Sequence, residues 1–362
     1  LQAQLLSAHS TAAMGREELP VWRHPGLSVA GKLLNFATAL VTPLPRLAKL
    51  RYPEDAKAIE EIQSGLAGSY SRLHSLFCRP STWALRTTTY TRSDGSSGAI
   101  YVHRPVGFDD RPLPLVYWIH AGGFTIGSGQ DPAAVWLATL LLRSGAPVVL
   151  ASVDYRLAPQ SPFPAAVEDC VAGLAQLLET PSPDVELGFQ AGNVHIAGSS
   201  AGANLALAVL AEMMRRGVAV SSAFLDCPFL DPSCSTASYE TNARLQPDAR
   251  WLRWSWEMYL RGQQLGHLDE RCRPLRQLEL LRRPPSPLPP LVCVTALADP
   301  LHDEGVECVR TFRACGASVT HVEARSIHIA WAVTDAAATR RAVGSWADLL
   351  RSGSGGSLRS RL

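Results

Sequence analysis

The chain has 362 residues, 46% of them hydrophobic and 18% charged, a composition that excludes a wholly disordered protein and permits an extended core with a subsidiary lobe. Its 34 basic and 32 acidic side chains leave a formal charge of +2, with no electrostatic surplus to attract nucleic acid or an acidic membrane surface. The balance favours small neutral or weakly charged molecules as partners.

Residues 1 to about 85 read as helical, without strands. Their most apolar stretch, GKLLNFATALVTPLPRLAKL, is interrupted by Lys32, Pro43 and Pro45 and is too short to cross ~30 Å of hydrocarbon. It reads as an amphipathic helix lying on the fold, so no integral membrane segment is expected. No charged segment followed by an apolar one opens the sequence as a secretory leader would, which favours an intracellular protein.

From about residue 86 β-rich runs alternate with helical ones, the pattern of a mostly parallel sheet covered by helices. Strands are expected at 113–120, 146–155, 193–198, 219–227, 290–299 and 317–324, and helices at 165–179, 201–217 and 304–316. The fold class is therefore α/β, doubly wound, with 86–350 as its main unit. Residues 231 to about 275 break the rhythm as an insertion, and together with residues 1–85 they could form a helical cap over the carboxyl ends of the strands, where open α/β sheets bind ligands. Trp251, Trp254 and Met258 share one face of a helix there. The Gly/Ser-rich end, 351–362, reads as a flexible tail.

Eight cysteines include no CxxC pair, and no His/Cys cluster shows zinc-site spacing. Reduced thiols, no metal and no cofactor are expected. RRPPSPLPP (282–290) reads as a stiff loop before a strand.

Two motifs carry chemistry. Gly198-Ser199-Ser200-Ala201-Gly202 fits G-x-S-x-G between an apolar strand and an apolar helix. In a nucleophile elbow the flanking glycines avoid collisions and the serine hydroxyl is exposed on a strained turn. The N–H of Ala201, at a helix N-terminus, then faces developing negative charge. Upstream, His120-Ala121-Gly122-Gly123 ends a strand and is close to the HGGG loop whose N–H groups complete an oxyanion hole. A phosphate-binding loop is a poor reading there because no GK[ST] follows.

Together these motifs resemble the hormone-sensitive-lipase-like carboxylesterase branch of the α/β-hydrolases over roughly residues 85–350. The most specific stretch is DYRLAPQSPFPAAVEDC (154–170), and SYETNARL to WEMYL is similar to that family's cap insertion. The resemblance implies Ser200 as nucleophile, Asp299 in ADPLHDEG as the triad acid and His328 in SIHIAW as the base, in the chain order that the fold requires. It implies an oxyanion hole from the N–H groups of Gly122, Gly123 and Ala201, and a substrate pocket near Phe124, Trp251, Trp254 and Ile329. Ala121, Ser199, Ala203, Ile329 and Gln160 depart from the family pattern, the first four standing where it has Gly, Asp, Gly and Gly, and Gln160 where it has Glu.

The expected activity is hydrolysis of a small acyl ester through an acyl-enzyme, without metal or cofactor. Acyl thioester hydrolysis or acyl transfer, elimination or cyclisation in natural-product metabolism, and small-molecule reception are the alternatives. His328 argues against reception, since the receptors similar to this family lack that histidine. Ser360-Arg361-Leu362 differs from the Ser-Lys-Leu address by one basic residue, so a peroxisomal import receptor is a second candidate partner.

Overall fold

The computed structural model describes Leu27 and residues 44–109, 111–179, 187–263, 268–281 and 288–352. The tail tripeptide, most of the 31–50 stretch and the Pro-rich loop before Leu288 lie outside the described residues.

Two helices, α1 (Leu44–Leu47) and α2 (Ala56–Phe77), precede the hairpin strands β1 (Trp83–Thr91) and β2 (Ser97–Pro105). There follow β3 (Leu113–Ile119), α3 (Pro132–Arg143), β4 (Val149–Val153), α4 (Ala165–Glu179), β5 (Phe189–Ser199), α5 (Ala201–Arg215) and β6 (Ser222–Asp226). Helices α6 (Ala237–Thr241), α7 (Ala249–Tyr259) and α8 (Pro274–Leu281) come next, then β7 (Leu291–Ala298), α9 (His302–Ala314), β8 (Val319–Ile327), α10 (Trp331–Thr334) and α11 (Ala336–Ser352). The eight strands form one sheet in the order β1-β2-β4-β3-β5-β6-β7-β8. β1 and β2 pair antiparallel with each other, and β2 pairs antiparallel with β4; every other pairing is parallel. The strands and helices expected between residues 113 and 324 all form, and the β1–β2 hairpin extends the sheet at the edge where the helical N-terminal run ends.

Burial on both faces explains why the central strands read as unbroken apolar runs. Leu115, Tyr117, Ile119, Ile196 and Leu225 face one layer with Cys170, Leu174, Leu205 and Phe312. Val116, Trp118, Ala197, Phe224 and Val294 face the other, with Val135, Leu141, Val343 and Trp346 from α3 and α11. The parallel strands β3, β5, β6, β7 and β8 all end on one side of the sheet, so the residues that follow them are gathered there: Gly122, Ser200, Cys227, Asp299 and His328. Among the described residues no helix is long and apolar enough to cross a membrane.

Candidate active site

Ser200 caps β5 with φ +55° and ψ −119°, a region that non-glycine residues enter at a cost of order 1–3 kcal/mol. The glycines of the motif make the turn possible. A Cβ on Gly198 would lie 2.2 Å from the Gly202 carbonyl oxygen, and one on Gly202 would lie 2.1 Å from that of Ile119. The turn is fastened from both sides: Ser200 N–H donates to the Asp226 carbonyl at 2.8 Å, and Phe229 N–H donates to the Ser200 carbonyl at 3.2 Å.

Backbone strain gathers at this end of the sheet. Of five positive-φ non-glycine residues among the described ones, Phe124, Ser200, Cys227 and Ile329 follow β3, β5, β6 and β8. Such clustering is characteristic of functional sites, where surrounding structure over-determines the backbone.

Asp299 and His328 come together after β7 and β8. His328 Nδ1 lies 2.7 Å from Asp299 Oδ2, and both side chains are buried. The other carboxylate oxygen of Asp299 accepts from Leu301 N–H at 2.9 Å, and its backbone carbonyl accepts from the Asn242 amide at 2.9 Å. Asp299 is thus held by its own turn and by the chain between α6 and α7.

Sequence reasoning missed Asp226. Its carboxylate accepts from Ser199 Oγ at 3.0 Å and from Trp331 Nε1 at 2.8 Å, so it joins the residue before Ser200 to the residue three after His328. Burial raises its carboxyl above the usual carboxylate range, while His328 and the two hydrogen bonds pull it down. A signal existed: Ser199 stands where the family has aspartate, and a carboxylate on the adjacent strand reaches its hydroxyl.

The loop after β3 turns at Gly122 (φ +124°), Gly123 (φ +57°) and Phe124 (φ +62°). Its internal hydrogen bonds run from Thr125 and Ile126 N–H to the Gly122 carbonyl, both 3.0 Å, and the helix start uses Ala203 N–H to the Ser200 carbonyl, also 3.0 Å. Among the described residues these turns do not consume the N–H groups of Gly122, Gly123 or Ala201. Ala121, the departure from HGGG, is not among the positive-φ residues, so its Cβ imposes no strain there.

DYRLAPQSPFPAAVEDC supports this loop. Asp154 Oδ1 accepts from Gly129 N–H at 2.6 Å. Tyr155 stacks on His120 at 4.0 Å between ring centroids and donates to its carbonyl at 3.0 Å. Arg156 is bidentate on Asp169, with Nη2 2.7 Å from Oδ1 and Nε 2.9 Å from Oδ2. From α2, Gln63 Nε2 donates to the carbonyls of Thr125 (2.7 Å) and Ala158 (3.0 Å), and Gln160 Nε2 returns a bond to Gln63 Oε1 at 2.9 Å. With Gln160 in place of glutamate, this contact is between two neutral amides.

The four pocket candidates are placed differently from one another. Trp251 and Ser255 of α7 cover Gly123, since a Cβ there would meet the indole and the hydroxyl at 2.7 Å each. Trp251 Nε1 and Ser255 Oγ are buried without a hydrogen-bond partner among the described residues. Phe124 is wholly buried in an aromatic stack, 3.9 Å from Tyr259 and 5.0 Å from Trp256 between centroids. Trp254 donates its indole N–H to the Leu50 carbonyl at 2.9 Å, fixing α7 to the chain after α1. Ile329 is 38% exposed with φ +49°.

Other histidines and acids at or near these strands have structural employment. His195 bridges Asn193 Oδ1 (2.8 Å) and Ser222 Oγ (2.7 Å), and His302 pairs with Glu323 at 3.0 Å. At the start of α9, Asp303 accepts Ser238 N–H at 2.9 Å, and Glu304 Oε2 accepts the N–H groups of Leu230 and Asp231.

Residues 116–332 match the family described as alpha/beta hydrolase fold. The chain is 35% identical to the carboxylic ester hydrolase LipN of Mycobacterium tuberculosis, over 60% of this chain and 56% of that protein. It is 32% identical to an acetyl-hydrolase of Streptomyces hygroscopicus, over 63% of this chain and 70% of that one. The chain therefore spans little more than half the length of the first relative. Among solved structures it is similar to a bacterial heroin esterase, with a TM-score of 0.71 and 26% identity over 91% of this chain and 98% of that one. The Pyrobaculum calidifontis esterase gives 0.72 and 26% over 91% and 100%. With six of the eight strands, the elbow and the glycine loop after β3 inside the matched span, the chain belongs to the α/β-hydrolase family, in its hormone-sensitive-lipase-like branch.

Proposed function

We propose that the protein hydrolyses carboxylic esters through an acyl-enzyme on Ser200. The observation that carries this reading is the buried 2.7 Å bond between His328 and Asp299 at the same end of the sheet as a strained elbow serine. Asp299 holds the imidazole with Nδ1 protonated, leaving Nε2 to take the Ser200 proton as the hydroxyl attacks the ester carbonyl. The carbonyl oxygen becomes an oxyanion and receives the N–H groups of Gly122, Gly123 and Ala201. His328 returns the proton to the departing alkoxide, then activates a water that releases the acid and regenerates Ser200.

Trp251 and Ser255 lie against Gly123, which leaves little depth above the oxyanion loop and favours a small acyl group. The names of two relatives, an acetyl-hydrolase of Streptomyces hygroscopicus and an ethyl acetate hydrolase of Pseudomonas putida, agree with that choice. Acyl transfer to thiols or CoA thioester cleavage would use the same acyl-enzyme, but its only prompt is the terminal Ser360-Arg361-Leu362.

Intact-mass spectrometry after exposure to a fluorophosphonate tests the reading. One adduct per chain on the native protein and none on Ser200→Ala is expected. A native protein that takes no adduct overturns the hydrolase mechanism. Rates on p-nitrophenyl acetate, butyrate and palmitate then test the acyl length, with acetate and butyrate expected to lead.

A further inference from the structure

His74, near the end of α2, and His103, on β2, meet inside the protein with their Nε2 atoms 2.7 Å apart. Cys78 follows His74 by four residues, so it lies one turn on along the same face of the chain leaving α2. Its sulfur and the two ring nitrogens lie within 4.8 Å of one another. Both histidines are buried, Cys78 is half-buried, and the surrounding layer is otherwise apolar, with Trp83 and Leu150 within it.

Two neutral imidazoles facing each other through Nε2 share one proton, and the His103 ring is also hydrogen-bonded by the backbone of Leu150 and Tyr101, so the two nitrogens that face each other are the ones open to a third group. The thiol beside the pair contributes nothing to it as a donor or acceptor of strength.

We propose that His74, Cys78 and His103 form a metal-binding site for a borderline-soft divalent cation, zinc in the first instance. Two imidazoles and a thiolate are a donor set that zinc prefers. With Zn–N near 2.0–2.1 Å and tetrahedral angles, two ligating nitrogens stand about 3.3 Å apart, so the pair, now at 2.7 Å, opens by roughly half an ångström to admit the ion. Three protein ligands leave a fourth position for water. Protons balance simply: the shared imidazole proton moves from Nε2 to Nδ1 of the same ring, and the thiol releases one proton to solvent. The ion would tie α2, whose Gln63 supports the loop after β3, to the sheet.

The full chain, stripped with a chelator, is titrated with Co²⁺ as a spectroscopic probe and with Zn²⁺ in competition. One Co²⁺ per chain is expected, with a thiolate-to-cobalt band in the near ultraviolet that Zn²⁺ abolishes, and zinc should raise Tm. Cys78→Ser, at a half-buried position that leaves the fold intact by circular dichroism, should lose the band and the Tm shift; His74→Gln should weaken binding at least tenfold. Cys315→Ser should change nothing. Cys227, Asp299 and His328 also cluster, so His328→Ala is the discriminating control. Absence of stoichiometric binding overturns the proposal, as does a band retained in Cys78→Ser or lost in His328→Ala. None of these readouts depends on ester hydrolysis.

Discussion

His328 Nδ1 stands 2.7 Å from Asp299 Oδ2, and the second oxygen of that carboxylate is already engaged by Leu301 N–H. The carboxylate therefore cannot rotate without breaking one of these two bonds. Replacing Asp299 by Asn puts an amide where an acceptor is needed and favours the imidazole tautomer with its proton on the wrong nitrogen. The expected result for Asp299→Asn is a fall in kcat of about 10⁴, the size of effect known for this substitution in a serine protease triad, with the fold unchanged. Ester hydrolysis and the rate of fluorophosphonate labelling would measure it; a loss of less than tenfold would mean that Asp299 does not orient the base.

Asp226 gives a second, separable prediction. Its carboxylate receives Ser199 Oγ and Trp331 Nε1 on different oxygens, so Asp226→Asn keeps the shape but loses one acceptor. One buried donor is left without a partner, at about 1–3 kcal/mol. Because Trp331 follows His328 by three residues, kcat should fall while KM changes little. Urea denaturation and steady-state kinetics on one ester check both halves. Unchanged kcat with reduced stability would make the residue purely structural.

The legibility of this site in the sequence follows the physics of each element. Strands buried on both faces read as apolar runs, and the elbow reads as glycines because a Cβ at 198 or 202 would sit about 2 Å from a carbonyl oxygen. Asp299 and His328 were found by resemblance; spacing alone could not choose His328 over His302 or His321. What the sequence hid depends on lateral neighbours in the sheet. Ser199 and Asp226 are paired in register across β5 and β6 although 27 residues apart, and His103 meets His74 across 29. The aromatic face of α7 was legible, but its division was not: Trp251 lies on Gly123, while Trp254 is bonded to Leu50.

Ile329 occupies a position where the family motif has glycine, and its φ of +49° shows why glycine suits it. A β-branched residue in the left-handed region costs about 1–2 kcal/mol, partly offset because glycine adds freedom to the unfolded chain. Ile329→Gly should raise stability by up to about 1 kcal/mol, read as a higher urea midpoint. The position is 38% exposed, so little packing is lost. A destabilised variant would show that Ile329 contributes contacts that outweigh its strain.

Glu304 links the fold to pH. Burial pushes its carboxyl up from the usual 4.5 to about 8, against the hydrogen bonds from Leu230 and Asp231 that pull it down. Between those two values the folded protein holds a proton that the unfolded chain has released. Stability from this group is therefore complete below about 4.5, declines as pH rises, and is gone above about 8. The slope is at most about 1.4 kcal/mol per pH unit. Glu304→Gln cannot ionise and still offers a carbonyl oxygen to the two N–H groups, so its stability should be flatter than the native protein's across pH 5–8. Urea midpoints at several pH values give the comparison. Parallel curves for the two proteins would mean that Glu304 titrates as an ordinary carboxylate and that its bonds to the chain after β6 hold it ionised.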